Sequence, residues 1–357
     1  MSGCCSVPAD PLTGIVEGFY GRLWPHELRL AYAGFLQALG LNTYLYAPKG
    51  DPWLRKRWQA HWPAQEWRAL TELALHYRQH GLRFGVGLSP FELYGHYGPA
   101  QKRSLRDKIS RLNTLEAPLL AILFDDMPGE QADLAERQAE IVADVQAWSG
   151  AQRLLVCPTY YSFDPVLERH FGRMPQHYWA DLGRLLAPEV DVFWTGNQVC
   201  ADTISADDVA HAAAVLGRPV LLWDNYPVND GAQRSNHLYL DPLQGRTGLR
   251  DNGKLTGHLC NPMVQGRCSL PALTGLAQLH ASAPPDPDAL VAMLGAALWH
   301  CLQRDAEEFR AQGLSGMSAA RRAALAAEYA ELPGAAACEV VDWLKGEYAF
   351  DPACLTD

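Results

Sequence analysis

The chain has 357 residues, of which 48% are hydrophobic and 20% charged, a composition that fits a globular protein and excludes disordered and fibrous classes. Its 30 Lys and Arg against 40 Asp and Glu leave a formal charge of −10, without a basic stripe, which argues against nucleic acid and anionic membrane surfaces as partners. The nine cysteines show no CxxC or other metal-ligand spacing, and the opening MSGCCSVPADPLTG has neither a basic nor an apolar signal region, so a reducing, cytoplasmic setting with no metal or cofactor is expected.

Gly14–Tyr20 (GIVEGFY) reads as a strand, and Trp24–Leu39 carries apolar residues at helical spacing up to Gly40, a C-cap candidate. Asn42–Ala47 is the next strand, closed by Pro48, and Glu66–His80 the next helix. Strands follow at Arg83–Leu88, Leu119–Phe124, Arg153–Cys157, Asp191–Thr195, Val220–Asp224 and Gly257–Asn261. Helical patterns such as Ser104–Leu115, Gln131–Trp148 and Asp207–Leu216 lie between them, whereas Asn225–Lys254 reads mostly as loop. Regular βα repetition without a GxGxxG or Walker loop predicts a (β/α)8 TIM-type barrel over residues 13–282, after a tail at 1–12.

Leu270–His280 is the last barrel helix, and Ala283–Asp288 (APPDPD) breaks the pattern as a linker. Beyond it, Ala289–Phe309, Ser318–Glu331 and Cys338–Glu347 read as a small C-terminal helical appendage spanning 289–357. The longest apolar helical stretch, Ala289–Leu302, is too short to span a bilayer. Whether these helices cover a cleft, pair two chains into a homodimer or only cap the barrel stays open at this level.

Within the barrel, Leu119–Asp126 (LLAILFDD) runs a buried strand straight into two carboxylates. Barrel chemistry sits at such strand exits. The other exits offer Glu17, Gly18, Lys49, Asp51, Tyr160, Tyr161, Trp194, Asn197, Trp223, Asp224, Asn225, Asp230 and Asn261. Carboxylates, amides and aromatic faces in one cleft suit a carbohydrate, which presents hydroxyls to hydrogen-bond and a C–H face to stack on. Glu17 is better read as a polar group satisfied inside the barrel, and His96 as a solvated loop residue.

Adjacent carboxylates fit the ordinary two-carboxylate geometries of glycoside hydrolysis poorly, because those pairs flank the bond at about 5 Å or more. They fit a substrate that supplies its own nucleophile. A 2-acetamido carbonyl oxygen can attack C1 while one carboxylate orients the amide and the other protonates the leaving oxygen.

The motifs GIVEGFYGRLW (Gly14–Trp24), YLYAPKGDPWLRKRW (Tyr44–Trp58), AILFDDM (Ala121–Met127), CPTYY (Cys157–Tyr161), FWTGNQV (Phe193–Val199), LLWDNYPVND (Leu221–Asp230) and CNP (Cys260–Pro262) resemble those of the family 84 glycoside hydrolases, the O-GlcNAcase and bacterial β-N-acetylglucosaminidase group. The resemblance implies a retaining, substrate-assisted mechanism through an oxazoline, acting on an N-acetylglucosamine-containing glycoside or glycoprotein. It implies that Asp125 orients the acetamido group, that Asp126 is the general acid and then base, and that Tyr161 hydrogen-bonds the reacting acetamido oxygen. It further implies that Gly18, Lys49, Asp230 and Asn261 contact sugar hydroxyls, with Trp223, Asn225 and Val199 lining the pocket.

Three positions depart from the family pattern: Gly50 after APK, Tyr160 inside PTYY, and Gly231 after ND. They motivate one alternative, a hydrolase of another 2-acetamido glycoside or small glycoconjugate; the other, a barrel that binds N-acetyl sugars without cleaving them, is opposed by the presence of Asp125, Asp126, Tyr161 and Asp230 at matching motif positions.

Overall fold

The structure, a computed structural model, describes residues 10–280, 286 and 288–356. Most of the expected tail at 1–12 and of the linker at 283–288 lies outside them. Eight strands close a barrel: β1 (Leu12–Glu17), β2 (Thr43–Tyr46), β3 (Arg83–Leu88), β4 (Leu119–Leu123), β5 (Arg153–Cys157), β6 (Asp191–Trp194), β7 (Val220–Asp224) and β8 (Leu255–Cys260). Each pairs in parallel with its sequence neighbours, and β8 closes on β1 through Ile15 opposite Cys260.

The physical basis is direct. Strands such as Leu119–Leu123 are buried at every residue, because a parallel barrel covers them with helices outside and with each other's side chains inside. The covering helices are α1 (His26–Ala38), α2 (Ala64–Gln79), α3 (Pro99–Asn113), α4 (Leu134–Trp148), α5 (Val166–Phe171), α6 (Tyr178–Leu185), α7 (Ala206–Leu216) and α8 (Leu270–His280). Gly40, at φ 67°, lies just beyond α1, where a left-handed residue ends a helix at little cost.

The connection after β7 carries no helix longer than a turn. Its short strand Arg246–Thr247 pairs with Ile204–Ser205 beside the barrel, and the C-terminal helices pack against the rest. These are α9 (Ala289–Leu294), α10 (Ala296–Ala311), α11 (Gly313–Gly316), α12 (Ala319–Ala330) and α13 (Ala335–Leu344). Arg310 pairs with Asp241 at 3.0 Å, and Trp343 Nε1 donates to the Ser235 carbonyl at 3.1 Å. The single helix expected over 289–309 is two, because Gly295 turns to φ 82° between α9 and α10. No helix among the described residues is long and apolar enough to cross a membrane.

Candidate active site

At the C-terminal mouth of the barrel lies an open cleft. Gly18, Lys49, Asp125, Asp126, Tyr161, Val199, Trp223, Asn225, Asp230 and Asn261 all line it. They come from seven of the eight strand exits and the loops that follow, brought together by barrel closure alone.

Asp125 and Asp126 follow β4 and face different partners. Asp125 Oδ2 is ion-paired with the Lys49 ammonium, both groups being buried. Asp125 Oδ1 is buried with no hydrogen-bond partner among the described residues. An orphaned buried acceptor is costly, so it calls for a donor, an N–H or an O–H. Asp126 takes the left-handed backbone conformation at φ 55°, which Asp tolerates better than most side chains. Its two oxygens accept separate phenols, Tyr20 Oη at 2.7 Å and Tyr161 Oη at 2.8 Å. The turn therefore sends one carboxylate to a lysine and its neighbour to two tyrosines.

The opposite wall is an amide relay. The Gly18 amide donates to Asn261 Oδ1 at 3.2 Å, Asn261 Nδ2 donates to Asn225 Oδ1 at 3.1 Å, and Asn225 Nδ2 donates to the Val199 carbonyl at 2.8 Å. Trp223 Nε1 also donates to Asn225 Oδ1, at 2.9 Å, so the indole is fixed as a flat wall. Gly18 is required where it stands: a Cβ there would lie 2.3 Å from the Trp223 ring. Asp230 Oδ2 accepts the Tyr20 amide at 2.7 Å, and burial pushes its carboxyl up to about 6.

Several strand-exit residues face elsewhere. Glu17 is fully buried, held by Arg29 through bonds of 2.7 to 3.1 Å and by Tyr44, as a polar group satisfied inside the barrel. His96 is exposed in a short 3₁₀ turn. Asp51 accepts from Tyr46 and Trp62, Tyr160 donates to the Gly172 carbonyl, and Asn197 donates to Asp208 in the capping box of α7. Trp194 is buried against Phe163. Asp224 is bound by Arg246 at 2.6 and 2.8 Å and by His258 at 2.9 Å. With Cys260, Asp224 and His258 bring three possible ligand atoms within 4.8 Å of one another, but the guanidinium already neutralises the carboxylate and opposes a cation there.

Sequence reasoning missed Tyr20, Arg55 and the chain's own segment 347–356. Tyr20 stands three residues past the end of β1, so its position in GIVEGFY was an available signal. Arg55 sits in the loop after β2 and donates to the carbonyls of Asp125 and Asp126 at 3.3 and 2.9 Å. Cys354 and Thr356 line the cleft, and nothing in the local sequence around them signals it.

The sequence matches the family described as beta-N-acetylglucosaminidase over residues 13–310. The chain belongs to this family. Among relatives, it is 29% identical over 280 residues to the Protein O-GlcNAcase of Mus musculus and equally to that of Rattus norvegicus, alignments covering 76% of this chain. The chain spans 30% of the length of either relative. Among solved structures, a mutant of the Thermobaculum terrenum O-GlcNAc hydrolase superposes with a TM-score of 0.75 at 27% identity, covering 94% of this chain and 81% of that one. CpGH84B gives a TM-score of 0.70 at 26% identity, covering 82% and 54%.

As a member of the beta-N-acetylglucosaminidase family, and of the family 84 glycoside hydrolases, the chain keeps its departures outside the cleft lining. Gly50 lies where a Cβ would come within 3.1 Å of the Gly21 carbonyl oxygen, so this backbone approach disfavours a side chain. The Tyr160 ring packs over Gly129, and its hydroxyl donates to the Gly172 carbonyl at 2.6 Å.

Proposed function

We propose that this chain is a retaining exo-β-N-acetylglucosaminidase that uses the substrate's 2-acetamido group as its nucleophile. The observation that carries the reading is the buried, unpartnered Oδ1 of Asp125 beside an Asp126 held by two phenols. The acetamido N–H supplies the donor that Oδ1 lacks, and the ion pair with Lys49 keeps the accepting carboxylate in place. So oriented, the carbonyl oxygen attacks C1 as the glycosidic C–O bond breaks, and Asp126, entering the step as the carboxylic acid, gives its proton to the leaving oxygen. An oxazoline forms. Water then attacks C1 and loses a proton to Asp126, and the amide reforms with the starting configuration retained.

Tyr161 was expected at the reacting acetamido oxygen; in this site its hydroxyl is donated to Asp126 instead. Both roles are compatible if the hydroxyl turns when the sugar enters. Gly18, Asp230 and Asn261 offer polar groups to the hydroxyls, and Trp223, Asn225 and Val199 form the walls. The substrate is a glycoside or glycoprotein with terminal N-acetylglucosamine. Cys157, Cys260, Cys268, Cys301 and Cys338 form no disulfide among the described residues, which supports a reducing location such as the cytoplasm.

The test is hydrolysis of aryl N-acetyl-β-glucosaminides with successively fluorinated acetyl groups, the anomer released being read by NMR. The rate should fall steeply with each fluorine, because the carbonyl oxygen becomes less nucleophilic, and the β anomer should appear first. A rate indifferent to fluorination, or the α anomer first, overturns the reading. Parallel galacto and gluco substrates decide between this function and hydrolysis of another 2-acetamido glycoside.

A further inference from the structure

Arg55 is buried and reaches across the loops of three strands. Nη1 donates to Ser89 Oγ at 2.7 Å and to the Asp125 carbonyl at 3.3 Å, and Nη2 donates to the Asp126 carbonyl at 2.9 Å. Its Cζ also lies 5.1 Å from the Phe91 ring centroid and 6.0 Å from that of Tyr20, the phenol bound to Asp126 Oδ2. The guanidinium thus grips two successive carbonyls where the backbone turns left-handed. A planar fork with fixed donors can hold two such acceptors together, which a flexible ammonium cannot.

We propose that Arg55 is a positioning residue for the acid: it fixes the turn at Asp125–Asp126 so that the Asp126 carboxylate meets the leaving oxygen. This rests on the function proposed above. In Arg55→Met, kcat/KM for an aryl glycoside with a poor leaving group should fall about 100-fold, the scale on which misplacing a catalytic group by about 1 Å acts. A good leaving group needs little protonation, so its rate should fall only a few-fold. Ser89→Ala, which removes one anchor and spares the charge, should show the same asymmetry more weakly. Equal losses on both substrates in both variants overturn the proposal. A crystal structure of Arg55→Met separates the two readings: if Asp126 keeps its positive φ and both phenols, positioning by Arg55 is overturned even where wild-type turnover is normal. If wild-type protein cleaves neither glycoside, the functional reading fails, and the same crystal structure still decides whether Arg55 holds the turn.

The segment 347–356 makes a separate set of contacts. It leaves α13 without regular structure, passes Arg22 with Tyr348 under the guanidinium at 5.2 Å, and enters the cleft at Cys354 and Thr356. Cys354 Sγ lies 3.8 Å from Asp230 Oδ1, and Thr356 lines the cleft together with Tyr161. Ala349, Phe350, Pro352 and Leu355 along it are exposed. The strap therefore has little apolar anchorage, yet it lines the cleft a bound sugar would need and sets Cys354 on Asp230.

We infer that this strap competes with the sugar for the cleft in the resting protein and is displaced by it. The full chain is tested with N-acetylglucosamine itself as the probe, so the outcome does not depend on turnover. Calorimetry on Cys354→Ala/Thr356→Ala should show several-fold tighter binding, and saturating N-acetylglucosamine should speed alkylation of Cys354, followed by peptide mass mapping. Weaker binding by the double variant would make the segment part of the sugar site and overturn the inference, as would unchanged affinity with unchanged alkylation.

Discussion

Tyr161 Oη donates to Asp126 Oδ1 at 2.8 Å, which ties the fifth strand's exit to the carboxylate on the fourth. Together with Tyr20 it fixes both oxygens of one carboxylate. In Tyr161→Phe this carboxylate loses one of two restraints, so kcat with a poor leaving group should fall about 10- to 100-fold, within the usual contribution of a positioned acid. The melting temperature should change little. Steady-state kinetics beside a thermal melt checks this, and an unchanged kcat would show the bond to be idle.

Lys49 and Asp125 form a buried pair. Replacing one member strands a charge, which typically costs about 3–5 kcal/mol. Lys49→Met should therefore lower both stability and affinity for an oxazoline mimic, whereas Lys49→Met combined with Asp125→Asn should recover much of the stability but none of the activity. Urea unfolding of the single and double variants measures the coupling. Additive losses would mean that the pair contributes nothing to the fold.

Burial raises the Asp230 carboxyl to about 6. Above that value it is a carboxylate with full acceptor capacity; below it, protonation removes acceptor capacity from the site. KM should accordingly rise as pH falls through about 6 and level off above about 7, and Asp230→Asn should abolish that limb. On folding the sign is opposite. The folded state holds this proton more tightly than the unfolded chain, so the group's contribution to stability declines as pH rises from about 4 to about 6. A KM profile flat between pH 5 and 7 would remove Asp230 from sugar binding.

Gly18 leaves no room for a methyl group, the nearest Trp223 ring atom being 2.3 Å from where a Cβ would stand. Gly18→Ala must shift that indole, at about 1–3 kcal/mol for overpacking. Since Trp223 is tied to Asn225 and through it to Asn261, the shift should spread through the relay and raise KM more than it lowers kcat. Wild-type KM in Gly18→Ala would mean that the indole is not a sugar wall.

Much of the architecture was legible before any coordinates, because strand burial and helix amphipathicity are local patterns. Arg83–Leu88, Arg153–Cys157, Val220–Asp224 and Leu270–His280 have the same limits in sequence and structure. The boundaries that moved, such as β1 at Leu12–Glu17 rather than Gly14–Tyr20, lie where an apolar run continues past the last paired residue into a mouth loop. Gly295 ended a helix that the alanine-rich pattern carried through, since a single glycine's φ is set by packing.

The sequence alone determined the barrel and the order of its exits, and its motifs named ten residues that share one cleft, because strand alternation and chain order are properties of the string. Only tertiary structure decided which atom meets which: that Lys49 takes one oxygen of Asp125 and leaves the other bare, that two phenols claim Asp126, that Arg55 clamps the turn between them, and that residues more than a hundred positions beyond Asp230 return to lie on it. Hydrogen bonds and ion pairs act over about 3 Å. Groups from distant parts of the chain come within that range only when the closed barrel fixes all their backbones at once, and no local pattern records the result.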